Sequence, residues 1–143
     1  MVVHRQIAPV VLDILSKLYE ASYPIERMVL IDDYGADDEK SMTDNNSSGF
    51  NFRFISHTST ISQHGLGLAV DINPLYNPYV KKIDGMIKIE PLAGKDYINR
   101  QNNFPYKITA GDLCHKLFTA AGFVWGGDWL DRKDYQHFAM AWP

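Results

Sequence analysis

Cysteine is nearly absent from this chain of 143 residues, which contains only Cys114. A single cysteine can form neither an internal disulfide nor the cysteine-rich ligand set of a structural zinc site. Any metal bound by this chain must therefore be held by nitrogen and oxygen atoms. We expect Cys114 itself to be a small buried hydrophobe.

Long apolar runs and an excess of positive charge are also missing. No apolar stretch approaches the roughly 20 residues needed to cross a bilayer, and the N-terminus lacks the pattern of a signal peptide. The net charge of -3 leaves no broad basic surface that could bind a phosphate backbone. The sequence therefore predicts neither a membrane span nor a nucleic-acid partner, and it leaves the oligomeric state open.

What the chain does contain is typical of one globular domain. Its residues are 45% hydrophobic and 22% charged, and no linker or repeat divides residues 1–143, so we expect a single domain. Helices are predicted at 8–22 and 110–121, and strands at 28–34, from 50 onwards, and at 68–73, 123–125 and 137–142. An acidic loop should follow the first strand up to residue 39, and 75–107 should be irregular or a small hairpin. This pattern favours an α+β fold.

Three side chains of the metal-binding type stand in two compact motifs. His64 and Asp71 belong to the stretch 62–71, and His137 belongs to the stretch 126–138. Two imidazoles and one carboxylate are a common ligand set of catalytic zinc, which leaves one coordination position for water. The alternation within 68–73 places Asp71 on the strand face opposite the apolar side chains. The sequence therefore predicts one metal site built from these three residues.

Asp134 and Arg53 are the candidate catalytic residues. Asp134 precedes His137 by three positions, so its carboxylate could take a proton from a metal-activated water. A fixed cation should stabilise the negative charge that develops on an attacked amide oxygen, and Arg53 is the candidate. The alternatives are that Asp134 caps a turn and that Arg53 is an ordinary salt-bridged residue.

Four further residues could support the site. Ser62 and Asp128 could orient the metal ligands, although both residue types also form turns. Trp129 and Tyr135 could wall the cleft, although aromatic residues beside a glycine pair are equally common in a core.

The two motifs together resemble those of a known enzyme family. The pattern S-x-H-x-x-G-x-A-x-D at 62–71, followed by G-G-D-W at 126–129 and D-x-x-H-F at 134–138, is similar to that of the zinc D-alanyl-D-alanine carboxypeptidases. The resemblance runs from about Asn45 to the C-terminus. It looks closest to the branch that includes phage and bacterial L-alanyl-D-glutamate endopeptidases. One departure is Ala139, where relatives often carry Glu.

The resemblance implies a metallopeptidase that acts on peptidoglycan stem peptides. Zn²⁺ would be held by His64, Asp71 and His137, with Asp134 as the acid/base and Arg53 as the transition-state arginine. The family fold, shared with the hedgehog signalling domain, is a small antiparallel sheet flanked by helices. Such substrates imply a periplasmic or secreted protein whose leader is absent from this sequence, with a cytoplasmic location left open.

Two other classes of protein use related sites. A zinc-stabilised binding module could keep the fold without turnover, although such a site would more often be closed by a fourth side chain. A non-haem iron oxygenase also uses two histidines and one carboxylate. Asp134 and Arg53 favour the peptidase, because a purely structural ion needs neither.

Overall fold

The computed structural model describes residues 1–55 and 59–141, and within them it combines short helices with short strands. The helices are α1 (Ala8–Glu20), α2 (Asp38–Thr43) and α3 (Leu113–Ala120), with 3-10 turns at Ile31–Tyr34, Leu92–Tyr97 and Gly126–Asp128. The strands are β1 (Ala69–Asp71), β2 (Tyr79–Ile83), β3 (Met86–Glu90), β4 (Val124–Trp125), β5 (Lys133–Asp134) and β6 (His137–Ala139). The α+β class is confirmed.

The strands form two antiparallel sheets of three strands each. One has the order β1-β6-β4 and the other the order β3-β2-β5. Only Tyr135 and Gln136 separate β5 from β6, so the chain passes directly from one sheet to the other at this point. Residues at the end of β5 and the start of β6 therefore lie where the two sheets meet.

Helices α1 and α3 bury their apolar faces against the first sheet. In α1, Val11, Ile14 and Leu18 are buried at helical spacing, as the periodicity predicts. In α3, the ring of Phe118 stacks on that of Phe138 in β6 with 4.4 Å between centroids. Cys114 is buried with a free thiol, as expected.

The boundaries of α3 follow from its capping residues. Asp112 is the N-cap, and its Oδ1 accepts a hydrogen bond of 2.8 Å from the backbone N–H of His115. Gly122 follows the helix with a φ of 91°, a left-handed conformation that glycine adopts without steric cost. The sequence placed this helix correctly but began it too early, directly after Thr109.

Two predicted strands were wrong. The segment 28–34 contains the 3-10 turn Ile31–Tyr34 in place of a strand. The segment from residue 50 forms only an isolated bridge between Phe54 and Ile61. Phe52 is 60% exposed, so this run lacks the buried face that a half-buried strand requires.

The acidic stretch is more ordered than predicted. Asp37 caps the N-terminus of α2, where its Oδ1 accepts a hydrogen bond of 3.0 Å from the Lys40 backbone N–H. Acidic residues stabilise the first turn of a helix because they face the positive end of its dipole. The stretch is solvated as expected, since Asp32, Asp33 and Glu39 are exposed, but the predicted loop was wrong, and α2 brings Asp38 towards Arg53.

The sequence predicted that residues 75–107 would be irregular or form a small hairpin, and the structure contains the hairpin. Strands β2 and β3 pair throughout, and Asp84 and Gly85 turn the chain with φ values of 49° and 83°. Two successive positive φ angles are typical of the tightest hairpin turns. Among the described residues, no helix has the length and apolar character that a membrane crossing requires.

Candidate metal centre

The centre is built on the pairing of β1 with β6. Asp71 and His137 lie directly opposite each other in this antiparallel pair, so their side chains project from the same face. His64 arrives from the turn that precedes β1. In that turn the Gly67 N–H donates to the His64 carbonyl at 3.0 Å, and the φ of Gly67 is 69°. The three predicted metal ligands therefore converge at one end of the first sheet.

The donor atoms are spaced as ligands of one ion. His64 Nε2 lies 3.1 Å from His137 Nδ1 and 3.2 Å from Asp71 Oδ2. His137 Nδ1 lies 3.1 Å from Asp71 Oδ1. Ligands at about 2.0–2.1 Å from a tetrahedral ion are about 3.3–3.4 Å apart. This buried group of two imidazoles and a carboxylate could thus bind a metal ion.

In each imidazole, one ring nitrogen points away from Asp71 and contacts another oxygen atom. The other ring nitrogen, here called the inner nitrogen, points towards the centre and is free to bind a cation. His64 Nδ1 lies 2.7 Å from the Gly49 carbonyl, which assigns the proton of the neutral ring to Nδ1 and the lone pair to Nε2. His137 Nε2 lies 3.5 Å from Gln63 Oε1, which assigns the opposite tautomer to this ring. In these tautomers the inner nitrogens direct their lone pairs at each other and at Asp71, and a positive charge between them, from a proton or a metal ion, would stabilise the arrangement.

The pKa shifts of the three residues show how burial and the negative charge of Asp71 oppose each other at this centre. Burial lowers the pKa of His64, but the Asp71 carboxylate more than offsets this and leaves the pKa raised. Burial keeps the pKa of His137 lowered despite its hydrogen bond to Asp71. Burial opposes ionisation of Asp71, yet the charge of His64 and the bonds to both histidines hold its pKa well below the usual range. Asp71 is the negative group around which the centre is arranged.

Asp134 lies at the end of β5 with one carboxylate oxygen unused. Its Oδ1 is buried and has no hydrogen-bond partner within residues 1–55 and 59–141. Burial, and then the negative charge of Asp71, raise its pKa well above the ordinary value. A buried carboxylate oxygen without a partner is costly, so this atom fits a role in holding or moving a proton beside the three ligands.

The glycine pair of the second motif allows this placement. A Cβ on Gly126 would lie 2.6 Å from the Asp134 carbonyl oxygen and 2.7 Å from its Cβ. A Cβ on Gly127 would lie 2.3 Å from the indole ring of Trp125. Both contacts are too close for real carbon atoms, so Gly126 is needed for the close approach of β5 to this turn and Gly127 for the close packing of the Trp125 indole.

Arg53 lies near the centre and is held by a carboxylate from another element. Its guanidinium forms an ion pair with Asp38 of α2, and its side chain is 38% exposed. Its positive charge contributes to lowering the pKa of His64, Asp134 and His137. The sequence interpretation of Arg53 as a salt-bridged residue is confirmed, and its role as a cation beside a bound metal stays a prediction.

The four predicted supporting residues differ in their placement. The Ser62 hydroxyl accepts a hydrogen bond of 3.0 Å from the Gly65 N–H, so it stabilises the turn that carries His64. The ring of Trp129 lies 5.4 Å from that of His137 and forms one wall of the site. Tyr135 instead packs beneath Arg100, whose guanidinium carbon lies 4.4 Å above its ring. Asp128 is exposed at the end of its 3-10 turn.

Sequence reasoning missed two residues that orient the ligands. Gly49 supplies only a backbone carbonyl to His64, and no side-chain pattern could have indicated it. Gln63 lies within the first motif, where its side chain contacts His137 across 74 positions of sequence. Its position beside a predicted ligand was a signal, but only the fold pairs it with the other histidine.

Comparison with known proteins places these motifs in one family. A family model described as D-alanyl-D-alanine carboxypeptidase matches residues 56–140, which are more than half of the chain. The matched range contains the three converging ligands and Asp134, whereas Arg53 lies just before it. No curated protein and no solved structure matched the chain in the same comparisons.

Proposed function

Because the chain belongs to the D-alanyl-D-alanine carboxypeptidase family, we propose that it is a zinc-dependent peptidase that hydrolyses peptide bonds of bacterial peptidoglycan stem peptides. The family supports a metallopeptidase, and zinc and the substrate are the further steps of this proposal. The bond cleaved could be of the D-Ala-D-Ala or the L-Ala-D-Glu type. A periplasmic or secreted location belongs to the same proposal, because the substrate lies in the cell wall.

One observation carries the proposal. The two inner imidazole nitrogens lie 3.1 Å from each other and 3.1–3.2 Å from one or the other carboxylate oxygen of Asp71, and a buried carboxylate oxygen of Asp134 beside them has no partner among the described residues. A structural ion needs ligands but no such acid. An acid that is near the ligands, unpaired and of raised pKa is what general acid–base catalysis requires.

The chain's own residues then have distinct roles. His64, Asp71 and His137 would hold Zn²⁺, which supplies a water acidified to a pKa of about 7 and polarises a carbonyl. Asp134 would accept the proton of the attacking water and deliver it to the departing amine. Arg53 would stabilise the negative charge that develops on the carbonyl oxygen, with Asp38 fixing its guanidinium. Gly49 and Gln63 would hold the imidazoles in their binding tautomers.

The domain organisation belongs to the proposal as well. The core joins Val11 of α1, Phe118 of α3 and Phe138 of β6 in one cluster of buried residues. Elements from both ends of the sequence therefore share one core, which supports a single metallopeptidase domain over residues 1–143.

Hydrolysis of purified stem peptides tests the proposal. The protein is incubated with the peptides after zinc loading, after chelation, and after zinc is restored, and the products are identified by mass spectrometry. We expect cleavage only in the first and third samples. Intact peptides with zinc bound to the protein would favour a non-catalytic binding module, and oxygen consumption with bound iron would favour an oxygenase.

A further inference from the structure

The hairpin β2–β3 is joined to the strand that carries Asp134. Strand β2 pairs with β3 on one side and with β5 on the other. Tyr79 lies opposite Glu90 in the first pair and opposite Asp134 in the second. Since directly opposite residues share a face of an antiparallel sheet, Glu90, Tyr79 and Asp134 form one row on the face that carries the proposed catalytic acid.

The next row on that face is entirely cationic. Lys81 lies opposite Lys88 in the β2–β3 pair. The β2–β5 pairing ends with Val80 opposite Lys133, and Arg132 is the residue directly before β5. Lys81 and Lys88 therefore lie side by side, and Arg132 continues from the neighbouring strand on the Lys81 side of the last pair. We call Lys88, Lys81 and Arg132 the cationic row.

The cationic row extends towards the metal centre at its Arg132 end. The guanidinium carbon of Arg132 lies 4.7 Å above the ring of Trp129, and Trp129 lies 5.4 Å from the ring of His137.

The charges of the row are only partly compensated. Lys88 Nζ lies 2.7 Å from Glu90 Oε1, and Arg132 Nη1 lies 2.8 Å from Asp131 Oδ2. Lys81, at the centre, forms no ion pair with a described carboxylate, although it has a like charge directly opposite. Like charges in directly opposite positions destabilise a sheet, and a bound anion at the centre of the row would offset that cost.

From this arrangement we propose that the cationic row is a subsite for a carboxylate of the peptide substrate. Successive side chains on one face of a strand are about 6.6–6.8 Å apart, so the row lies about that far from Tyr79 and Asp134. An extended peptide covers this distance in about two residues. The subsite therefore selects a substrate with a carboxylate within about two residues of the bond that is cleaved. This inference rests on the proposed peptidase function.

The test compares peptides that differ only in charge. A stem pentapeptide with L-Ala-D-Glu at one end and D-Ala-D-Ala at the other is prepared with its glutamate α-carboxylate and its C-terminal carboxylate each free or amidated. Wild-type protein should have a higher kcat/KM for a free form than for the corresponding amide, by at least about threefold. The carboxylate whose amidation lowers kcat/KM is the one that binds the row.

Variants of the hairpin distinguish binding of a carboxylate by the cationic row from a general effect of removing one positive charge. Lys81→Gln should reduce the ratio of kcat/KM between the free and amidated peptides towards one. Lys82→Gln is the matched control, because Lys82 is the next residue of the same strand, is exposed, and faces the opposite side. It should leave the ratio as it is in the wild type. Equal ratios in the wild type and in Lys81→Gln would overturn the subsite.

Failure of the subsite and failure of the proposed function give different results. If the wild type cleaves the peptides but the ratio does not respond to Lys81→Gln, the subsite is wrong and the peptidase stands. If the zinc-loaded wild type cleaves no peptide, the proposed function is wrong. Calorimetric titration of the same four peptides then tests the row directly: tighter binding of a free form to the wild type than to Lys81→Gln supports it, and equal binding overturns it.

Discussion

His64 Nε2 and His137 Nδ1 lie 3.1 Å apart although 73 positions of sequence separate the two residues. Each imidazole is contacted on its outer nitrogen by an oxygen acceptor, from Gly49 or from Gln63. The inner nitrogens are therefore the lone-pair atoms of both rings, and they face the Asp71 carboxylate. Three acceptors directed at one point form a binding site for a cation.

Removing one of these ligands should abolish the response to zinc. For wild type, zinc at a hundredfold excess over its dissociation constant should contribute about 2.7 kcal/mol to the free energy of unfolding. This corresponds to a rise in Tm of about 5–10 °C for a chain of this size. His64→Gln should show no such rise and no bound zinc by elemental analysis.

A second histidine provides the control for that experiment. His115 lies on α3 and contacts the Gly111 N–H and the ring of Trp125, away from the three ligands. His115→Gln should keep the zinc-dependent rise in Tm. Stoichiometric zinc in His64→Gln would contradict the proposed ligand set.

Asp134→Asn should retain zinc and lose hydrolysis. The amide has nearly the shape of the carboxylate but cannot accept the proton of the attacking water, so kcat should fall by at least about 100-fold. Asp13→Asn is the comparison, since Asp13 lies on the exposed face of α1 and, within the part of the chain that the structure describes, forms an ion pair with Lys17 alone. Undiminished turnover in Asp134→Asn would remove this residue from the mechanism.

Arg53→Ala should slow catalysis by about 100-fold or more, because one donor to a developing oxyanion contributes about that factor. Asp38→Asn should have a smaller effect in the same direction, since it leaves the guanidinium in place but weakens its ion pair. Asp33→Asn, at an exposed acid of the same stretch, should not change kcat. If Asp38→Asn and Asp33→Asn behave alike, the ion pair has no part in positioning Arg53.

Gly126→Ala should destabilise the protein and displace Asp134. The added methyl group would lie 2.6 Å from the Asp134 carbonyl oxygen, and overpacking of this kind costs about 1–3 kcal/mol. Denaturant unfolding measures the loss, and zinc content with peptide turnover shows whether the acid alone has moved. Turnover equal to that of wild type would mean that β5 tolerates the shift.

Asn77→Ala should be strongly destabilising. The Asn77 side chain is fully buried and bonds to the Asn73 and Tyr106 carbonyls, to the Ile108 N–H and to Arg100. Removing it takes the acceptor from the buried Ile108 N–H and the donor from the two carbonyls, at about 1–3 kcal/mol for each neutral group left unsatisfied, whereas Arg100 keeps its bonds to other carbonyls. Thermal unfolding should show a clear loss of Tm, whereas Asn103→Ala, at an exposed residue, should change Tm little.

The sequence by itself determined the two longer helices, the first strand, and the residue types available as ligands at the candidate metal centre. Helical spacing identified α1 and α3, because an amphipathic helix repeats its apolar residues whatever it packs against. Alternation around Val70 identified β1 and the face that carries Asp71. The residue types of the two motifs predicted a nitrogen and oxygen ligand set, because ligand preference is a property of side chains and does not depend on the fold.

Only the tertiary structure decided which groups meet. Phe50 and Phe52 look like strand residues, but no sheet covers them, so the predicted strand does not form. The acids at 37–39 look like a solvated loop, yet they begin a helix that delivers Asp38 to Arg53. The pairings of Gly49 with His64, and of Tyr79 with both Glu90 and Asp134, join segments that are distant along the chain. Local pattern cannot specify them, because packing and strand register fix such contacts after the chain has folded.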